Sequence, residues 1–215
     1  EMTGNSSHEL KTPVAGLQGY LEILVNHPDC PQDKRKLYTE RAYMQSLRLS
    51  DLIRDISLVT KMEEAPSQFS CRKLYLKAVV DEIIDEMSDR LTEHKMSCLN
   101  NIPEGCEIEA NSQLLYAIFR NLLENSVKYA GDGVEVRIEG TPDGGIVFRD
   151  SGRGVSSEDL EHIFERFWRS STVRSESQGS GLCLSIVKNA VLLHGWSITA
   201  FVPQPQGLGF LIKLR

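Results

Sequence analysis

The sequence has no apolar run that approaches the ~20 residues needed to span a bilayer. It has no long run of basic residues either, and its formal net charge is -6 over 215 residues. These two absences argue against a membrane-spanning segment in this chain and against nucleic acid or an anionic lipid surface as its main partner. Small molecules and other proteins are the partners that remain.

Cysteine is scarce, and no targeting segment opens the chain. The five cysteines lack the spacing of metal ligands, and an odd number fits a disulfide framework poorly. A reducing, cytoplasmic compartment is therefore expected. No signal peptide is present and the first residue is Glu1 rather than methionine, so we expect a soluble fragment of a longer protein. The length is sufficient for one large or two small domains.

The first 64 residues have the apolar pattern of two helices. In the first, predicted from Thr3 to Asn26, apolar residues alternate at spacings of four and three, which at about 100° per residue makes one narrow seam. The residues of this seam are Leu10, Val14, Leu17, Leu21 and Leu24. Pro13 removes one backbone donor and is expected to bend the helix. The second helix, predicted from Gln32 to Glu64, continues the alternation.

A tight turn over residues 27–31 separates these helices, which predicts an antiparallel hairpin. Leu47, Ile53 and Leu58 widen the apolar stripe of the second helix beyond what one partner helix covers. We therefore predict a four-helix bundle formed by a homodimer. The helical pattern stops near residue 65, so we predict two domains, over residues 1–65 and 66–215.

His8 stands near the start of the first helix, beside Glu9. Counted from Leu10 it lies at roughly 160° around the helix, so it points away from the apolar seam. A neutral imidazole is a competent nucleophile, and a neighbouring carboxylate can keep its other ring nitrogen protonated. The same residues are also compatible with an ordinary exposed histidine beside an exposed glutamate.

Beyond residue 66, strands and helices are interleaved with hairpins, which predicts an α/β sandwich with helices on one face of one sheet. Strands are predicted over residues 68–72, 96–100, near 108, 134–139, 146–150, 196–202 and 208–214. Helices are predicted over residues 74–94, 112–129, 156–164 and 181–193. The predicted fold class is α+β, with a helical hairpin followed by this sandwich.

Three polar clusters in the second region have residue types that suit phosphate chemistry. Asn121, Asn125 and Lys128 fall on one face of a predicted helix, and carboxamides with an ammonium suit Mg²⁺ and phosphate oxygens. Asp150 ends a predicted strand, where a carboxylate can accept from an exocyclic amine. The glycine-rich stretch 179–182 opens a predicted helix, as in many anion sites. Singly, each cluster is more often a solvated face, a turn or a loop, but their joint order favours a site.

The ordered set of motifs resembles the catalytic core of two-component sensor histidine kinases over essentially the whole chain. Residues 7–13 resemble the phosphoacceptor box of that family, 121–129 its asparagine box and 150–154 its first glycine box. Residues 163–169 resemble the phenylalanine box, and 179–184 the second glycine box. The ordered set is highly specific, although each box alone is not.

The resemblance implies ATP and Mg²⁺ as cofactors. It implies that Asp150 holds the adenine amine, that Asn125 ligates Mg²⁺, and that Asn121 and Lys128 contact or support the phosphates. The other nucleotide-site residues that it implies are Tyr129, Gly152, Gly154, Gly179, Ser180, Gly181 and Leu182. Arg166 would contact a phosphate or only brace the lid, which is expected over residues 169–178.

The implied reaction is phosphorylation of His8 by ATP, followed by transfer to an aspartate of a response regulator receiver domain. Glu9 would be the base or the orienter of His8. Thr12 would orient water in a phosphatase reaction toward that regulator, or be an ordinary exposed residue. Together with Ala15 and Gly19 it makes a small, open face for the regulator. The chain would be the cytoplasmic portion of a membrane-bound sensor.

Two positions bear on rival functions. Related gyrase-like and chaperone-like ATPases carry a glutamate that activates water four residues before the metal asparagine. Here that residue is Asn121, and an amide cannot act as a general base at neutral pH. Cys183 stands where the second glycine box usually has glycine, which narrows the pocket. The alternatives are a phosphatase-only or scaffold protein with weak nucleotide binding, and a related ATPase.

Overall fold

The computed structural model describes residues 2–168 and 181–214, with side chains from residue 9 onward in the first range. The chain divides into two compact units, Glu1–Leu58 and Val59–Arg215. None of the helices within these described ranges is both long enough and apolar enough to cross a membrane.

Two long helices build the first unit. Helix α1 spans Met2–Asn26 and contains Pro13, and helix α2 spans Gln32–Glu64, so that its last turn belongs to the second unit. The Tyr20 and Tyr38 rings stack at 6.1 Å, and the side chain of Gln45 lies against Gly16. Gly16 precedes Tyr20 on α1, whereas its partner Gln45 follows Tyr38 on α2. The two helices therefore run antiparallel, as predicted.

The hairpin leaves many large apolar side chains exposed. Ala42 and Leu52 are buried, whereas Leu21 of the predicted α1 seam is 47% exposed. The other exposed large apolar residues of this unit are Ile23, Val25, Leu37, Tyr43, Met44, Leu47 and Ile53. One hairpin therefore does not cover its own apolar surface.

The second unit contains seven strands and five further helices among its described residues. The strands are β1 Arg72–Tyr75, β2 Ser97–Asn101, β3 Glu107–Ala110, β4 Glu135–Gly140, β5 Ile146–Asp150, β6 Ser197–Phe201 and β7 Gly209–Lys213. The helices are α3 Leu76–Glu86, α4 Ser88–Glu93, α5 Ser112–Tyr129, α6 Ser157–His162 and α7 Cys183–Leu193.

Five of the strands form one mixed sheet in the order β2, β4, β5, β7, β6. The β2 and β4 pair is parallel and the other three pairs are antiparallel. In β4, Val136 and Ile138 are buried while their neighbours are not, and Phe148 of β5 lies 6.3 Å from Phe210 of β7. The buried face contacts the helical layer, in which α5 packs against both α3 and α7. This confirms the predicted α+β class.

Three details of the prediction are wrong. The strand expected over residues 68–72 starts only at Arg72, where pairing with β3 begins, and Gln68 belongs to a short 3-10 helix, Pro66–Gln68. The strand β1 pairs with β3 in a separate two-stranded sheet, so the unit has two sheets rather than one. The helix expected over residues 74–94 is two helices, since Met87 leaves the helical conformation at ψ 2° and buries its side chain.

Candidate functional site

Asp150, the last residue of β5, is the most enclosed carboxylate of the site. It is buried, yet its carboxylate accepts three hydrogen bonds. Oδ1 accepts from the backbone N–H groups of Gly152 at 2.9 Å and Leu208 at 3.2 Å, and Oδ2 accepts from the Ser126 hydroxyl at 3.0 Å. Three donors compensate for the loss of water around an ionised carboxylate. Oδ2 keeps room for one more donor, such as an exocyclic amine.

Helix α5 carries most of the other polar residues of the site. The Asn111 side chain caps its start by accepting from the Leu114 N–H at 3.1 Å, which satisfies one of the open donors of the first turn. Most of the buried residues of α5 are apolar, but toward its end the buried residues also include the polar Asn125 and Ser126.

Asn125 on α5 is 7% exposed. Within the part of the chain that the structure describes, no residue hydrogen-bonds to its side chain. No neighbouring group among the described residues therefore holds this amide, and it is open to a ligand in the cleft that it lines. Its carbonyl oxygen is of the type that Mg²⁺ prefers, and Mg²⁺ in nucleotide sites takes few protein ligands beside phosphates and water.

Asn125 and Asp150 line the same open cleft, whose volume is about 800 Å³ including the solvent at its mouth. Its walls otherwise consist of Tyr129, Ala130, Arg153, Gly154, Val155, Ile163, Trp168, Gly181, Cys183, Leu184 and Leu208. A mostly apolar cleft with a few buried polar groups is the usual form of a small-molecule site. The carboxylate and the amide therefore face one ligand-sized space.

Close backbone approach explains two of the predicted glycines. A Cβ at Gly152 would lie 2.5 Å from the Cβ of Ala130, so only glycine lets the loop after β5 pack against the end of α5. Gly154 has φ +69°, and a Cβ there would lie 2.5 Å from the Gly207 carbonyl oxygen. These glycines shape the cleft, although Gly152 does not line it.

The structure does not bring every predicted residue to the cleft wall. Asn121 donates through Nδ2 to the Ala117 carbonyl at 2.8 Å, and Lys128 donates to the Glu124 carboxylate at 3.0 Å. Neither lines the cleft, and neither does Leu182. Burial alone would lower the pKa of Lys128, but Cys183 and Glu124 beside it raise that pKa above its ordinary value.

Arg166 does not line the cleft, and it forms an ion pair with Glu63 in the last turn of α2. The segment just after it reaches the cleft through Trp168, whose ring stacks on His162 at 6.5 Å. Phe167, which lies between Arg166 and Trp168 in the chain, has φ 62°, and its N–H donates to the Gly181 carbonyl at 2.9 Å. The predicted Gly179 and Ser180, and the lid expected over residues 169–178, lie outside the described residues.

The three residues predicted for the phosphoacceptor site belong to α1 in the first unit. His8 lies in the helix, but its side chain is outside the described residues. Glu9 is half-buried and Thr12 is exposed. The exposure of Thr12 and Ala15 agrees with a face that is open to a partner.

Sequence reasoning missed several residues of the site. Ser126 is one of them, because a serine beside an asparagine looks like an ordinary polar helix residue, although its place directly after Asn125 is a usable signal. Arg153, Trp168 and Leu208 come from separate segments and reach the cleft only in the folded chain.

Comparisons with known proteins agree with this geometry. The family model "His Kinase A (phospho-acceptor) domain" matches residues 1–65, and "Histidine kinase-, DNA gyrase B-, and HSP90-like ATPase" matches residues 110–215. The chain is 28% identical over 218 residues to the sensor-like histidine kinase SenX3 of Mycolicibacterium smegmatis, covering 100% of this chain and 56% of that protein. It spans about half the length of the curated relatives that it matches.

Two solved structures share the fold. The Acinetobacter baumannii histidine kinase AdeS is 21% identical, with a TM-score of 0.76 and coverage of 96% of both chains. Histidine kinase ThkA, solved in complex with the response regulator protein TrrA, is 17% identical with a TM-score of 0.73, covering 100% of this chain and 60% of that one. The two family models in this order along one chain, with relatives that match it over its whole length, show that the chain belongs to the two-component sensor histidine kinases and carries their catalytic core.

Proposed function

We propose that the chain uses ATP to phosphorylate His8 and then passes the phosphoryl group to an aspartate of a response regulator receiver domain. The observation that carries the proposal is the cleft in which two groups face one space: the buried carboxylate of Asp150 and the side-chain amide of Asn125, which has no hydrogen-bond partner among the described residues. The first matches the amine end of adenine, and the second matches a phosphate-bound Mg²⁺. The match of the phosphoacceptor family model to residues 1–65 supports His8 as the nucleophile.

In the proposed complex, Asp150 accepts a hydrogen bond from the exocyclic amine of adenine through Oδ2. The flat ring lies between the apolar walls, among which are Ile163, Leu184 and Leu208. Asn125 would hold Mg²⁺ through its amide oxygen, and this ion supplies charge neutralisation at the phosphates. Tyr129 and Gly181 complete the walls of the site.

The phosphoryl transfer itself requires few protein groups. One imidazole nitrogen of His8 attacks the γ-phosphorus, an N–P bond forms, and the bond to the bridging oxygen breaks so that ADP leaves with that electron pair. Glu9 accepts a hydrogen bond from the other ring nitrogen and stabilises the imidazolium as it forms. Proximity and electrostatics contribute most of the rate.

Asn121 in place of a catalytic base makes hydrolysis of ATP by water slow at this site. A water-activating base is needed for hydrolysis, and the Asn121 amide has no basic lone pair at neutral pH. Its Nδ2 is also held by the Ala117 carbonyl. The bound nucleotide is thus preserved for the histidine.

The exposed face of α1 around Thr12 and Ala15 is proposed to admit the response regulator. Small side chains there allow the acceptor aspartate to approach His8 closely, and Thr12 would orient water in a phosphatase reaction. The complex of ThkA with a response regulator protein supports this kind of partner, because the chain shares the ThkA fold. Homodimerisation through α1 and α2 is supported by their exposed apolar residues. Attachment of the whole protein to a membrane stays a prediction.

The experiment that tests the proposal is incubation with γ-labelled ATP and Mg²⁺. We expect acid-labile label on the wild type and on His27→Gln, since His27 lies in the exposed hairpin turn, but none on His8→Gln. Label that persists in His8→Gln, or its absence from a wild type that binds ATP, would contradict the proposal.

One observation favours a second candidate, a phosphatase or scaffold with weak nucleotide binding. Cys183 lines the cleft where the family pattern has glycine, so its side chain occupies ligand space. A thermal shift with ATP and Mg²⁺ separates the two, because a ligand at 100 times its dissociation constant adds about 2.7 kcal/mol of stability. No shift at millimolar ATP would favour the second candidate.

A further inference from the structure

Glu124 sits at the centre of a charged cluster on the outer side of α5. Its side chain is 15% exposed and accepts from three cations. Lys128 Nζ lies 3.0 Å from Oε2, while Arg120 Nη2 at 2.9 Å and Arg90 Nη1 at 3.4 Å both donate to Oε1. Three positive charges therefore share one negative charge, and the cluster keeps an excess of cations.

The two oxygens of Glu124 are divided between different kinds of partner. Oε1 is occupied by the two guanidinium groups, with Arg120 also donating through Nε at 3.2 Å. Of the residues that the structure describes, only Lys128 donates to Oε2. If Lys128 leaves, Glu124 keeps two charged partners and is not left as an uncompensated buried charge.

Lys128 is the cation of this cluster that is closest in sequence to the nucleotide cleft. It lies one turn beyond Asn125 and directly before Tyr129, both of which line the cleft, but its ammonium points back to Glu124. The side chain is long and rotatable, so the same ammonium can serve either the carboxylate or a phosphate near the cleft.

We propose that Glu124 is a positioning residue that holds Lys128 in the nucleotide-free protein, and that Arg90 and Arg120 make Lys128 transferable to the nucleotide phosphates by keeping Glu124 neutralised. The inference rests on the proposed function, since it requires ATP in the cleft. Its physical basis is competition for one ammonium between a carboxylate and a phosphate. The more cations remain on Glu124, the less the transfer of Lys128 costs.

Loss of Arg120 is expected to weaken binding of the nucleotide phosphates through Lys128. In Arg120→Gln, Glu124 depends more on Lys128 and retains it, so the phosphates must break a stronger pair. We expect the affinity for a non-hydrolysable ATP analogue with Mg²⁺ to fall about tenfold, as for other coupled charge pairs. The affinity for adenosine, which has no phosphate, should stay unchanged.

Two double variants test whether Arg120→Gln lowers the affinity through Glu124 and Lys128. Glu124→Gln added to Arg120→Gln should restore the affinity for the ATP analogue, because no carboxylate then competes for Lys128. Arg120→Gln added to Lys128→Met should cause no further loss. Arg72→Gln, which removes an exposed positive charge on β1, is the control for net charge.

Isothermal titration of the whole chain with the analogue and with adenosine measures each of these constants. Equal losses for both ligands, no restoration by Glu124→Gln, or a further loss in the Lys128→Met background would overturn the proposal. If Arg120→Gln does not fold, Arg90→Gln carries the same expectation at a more exposed position. A wild type that does not bind the analogue would contradict the proposed function as well, whereas binding without coupling contradicts this inference alone.

Discussion

At the scale of single residues, the site depends on a carboxylate that the protein holds in a fixed orientation before any ligand arrives. Asp150 is buried and receives two backbone N–H groups and the Ser126 hydroxyl. Because these donors fix both oxygens, the remaining lone pair of Oδ2 has a defined direction. Such preorganisation reduces the cost of ordering the site on binding.

Ser126→Ala tests this orientation. Removal of the hydroxyl leaves Oδ2 without its protein donor, so we expect the affinity for ADP to fall by roughly 3- to 10-fold, as for the loss of one typical hydrogen bond. Titration calorimetry with ADP measures the change. Thr141→Ala removes a hydroxyl from the turn between β4 and β5 and should leave ADP binding unchanged. Wild-type affinity in Ser126→Ala would show that the backbone donors alone orient Asp150.

At the scale of elements, α5 joins the core, the cleft and the charged cluster. Asn111 caps its start, and the N–H of Asn111 itself donates to His194 Nε2 at the end of α7 at 3.0 Å. Further along, Glu124 connects α5 to α4 through Arg90. The contacts at both ends of α5 place Asn125 at the cleft independently of any ligand.

The cations around Glu124 make the free energy of unfolding of this unit depend on pH. Burial alone would raise the pKa of Glu124, but Lys128 and Arg120 lower it to about 2, below its ordinary value of 4.5. A carboxyl whose pKa is lower in the folded state contributes stability above the unfolded pKa, and that stability is lost as the pH falls through the folded pKa.

We therefore expect the free energy of unfolding to decrease from about pH 5 toward pH 2, and to decrease less steeply in Glu124→Gln. Urea denaturation at a series of pH values measures the slope. Glu109→Gln, at an exposed position on β3, should keep the wild-type slope. Equal slopes in the wild type and Glu124→Gln would show that the cluster does not stabilise the fold.

At the scale of the whole molecule, α2 connects the two compact units. Its 33 residues run through the hairpin, and its last turn buries Val59 and Met62 in the second unit. The hairpin itself leaves Leu47 and Ile53 exposed on α2, which a single copy of the chain does not cover. A second copy that packs on the hairpin would bury these side chains.

Leu47→Glu tests this association. A charge at an apolar contact between helices is costly, so we expect the wild type to sediment as a dimer and Leu47→Glu as a monomer at micromolar concentration. Gln18→Glu adds the same charge at an exposed polar position on α1 and should remain dimeric. A wild type that sediments as a monomer would contradict the predicted four-helix bundle.

Local patterns in the sequence were sufficient for the elements whose period and end signals agree. The observed bounds of α2 at Gln32–Glu64, of α5 at Ser112–Tyr129 and of β5 at Ile146–Asp150 equal the predicted ones. Prediction failed around residues 68–75 and at Met87, because pairing with β3 and burial of Met87 depend on residues distant in the chain. The directions of the Asn121 and Lys128 side chains were not predictable for a similar reason. They depend on hydrogen bonds to Ala117 and Glu124 rather than on spacing along the helix.

The sequence by itself determined the helical hairpin with His8, the order of the polar clusters behind it and the family to which they point, because helical period and short motifs are local properties of the chain. Only the tertiary structure decided that Ser126 and Leu208 hold Asp150, that Trp168 reaches the cleft and that Lys128 turns to Glu124. These partners come from segments that are separate in sequence, and packing of the sheet against its helices brings them together.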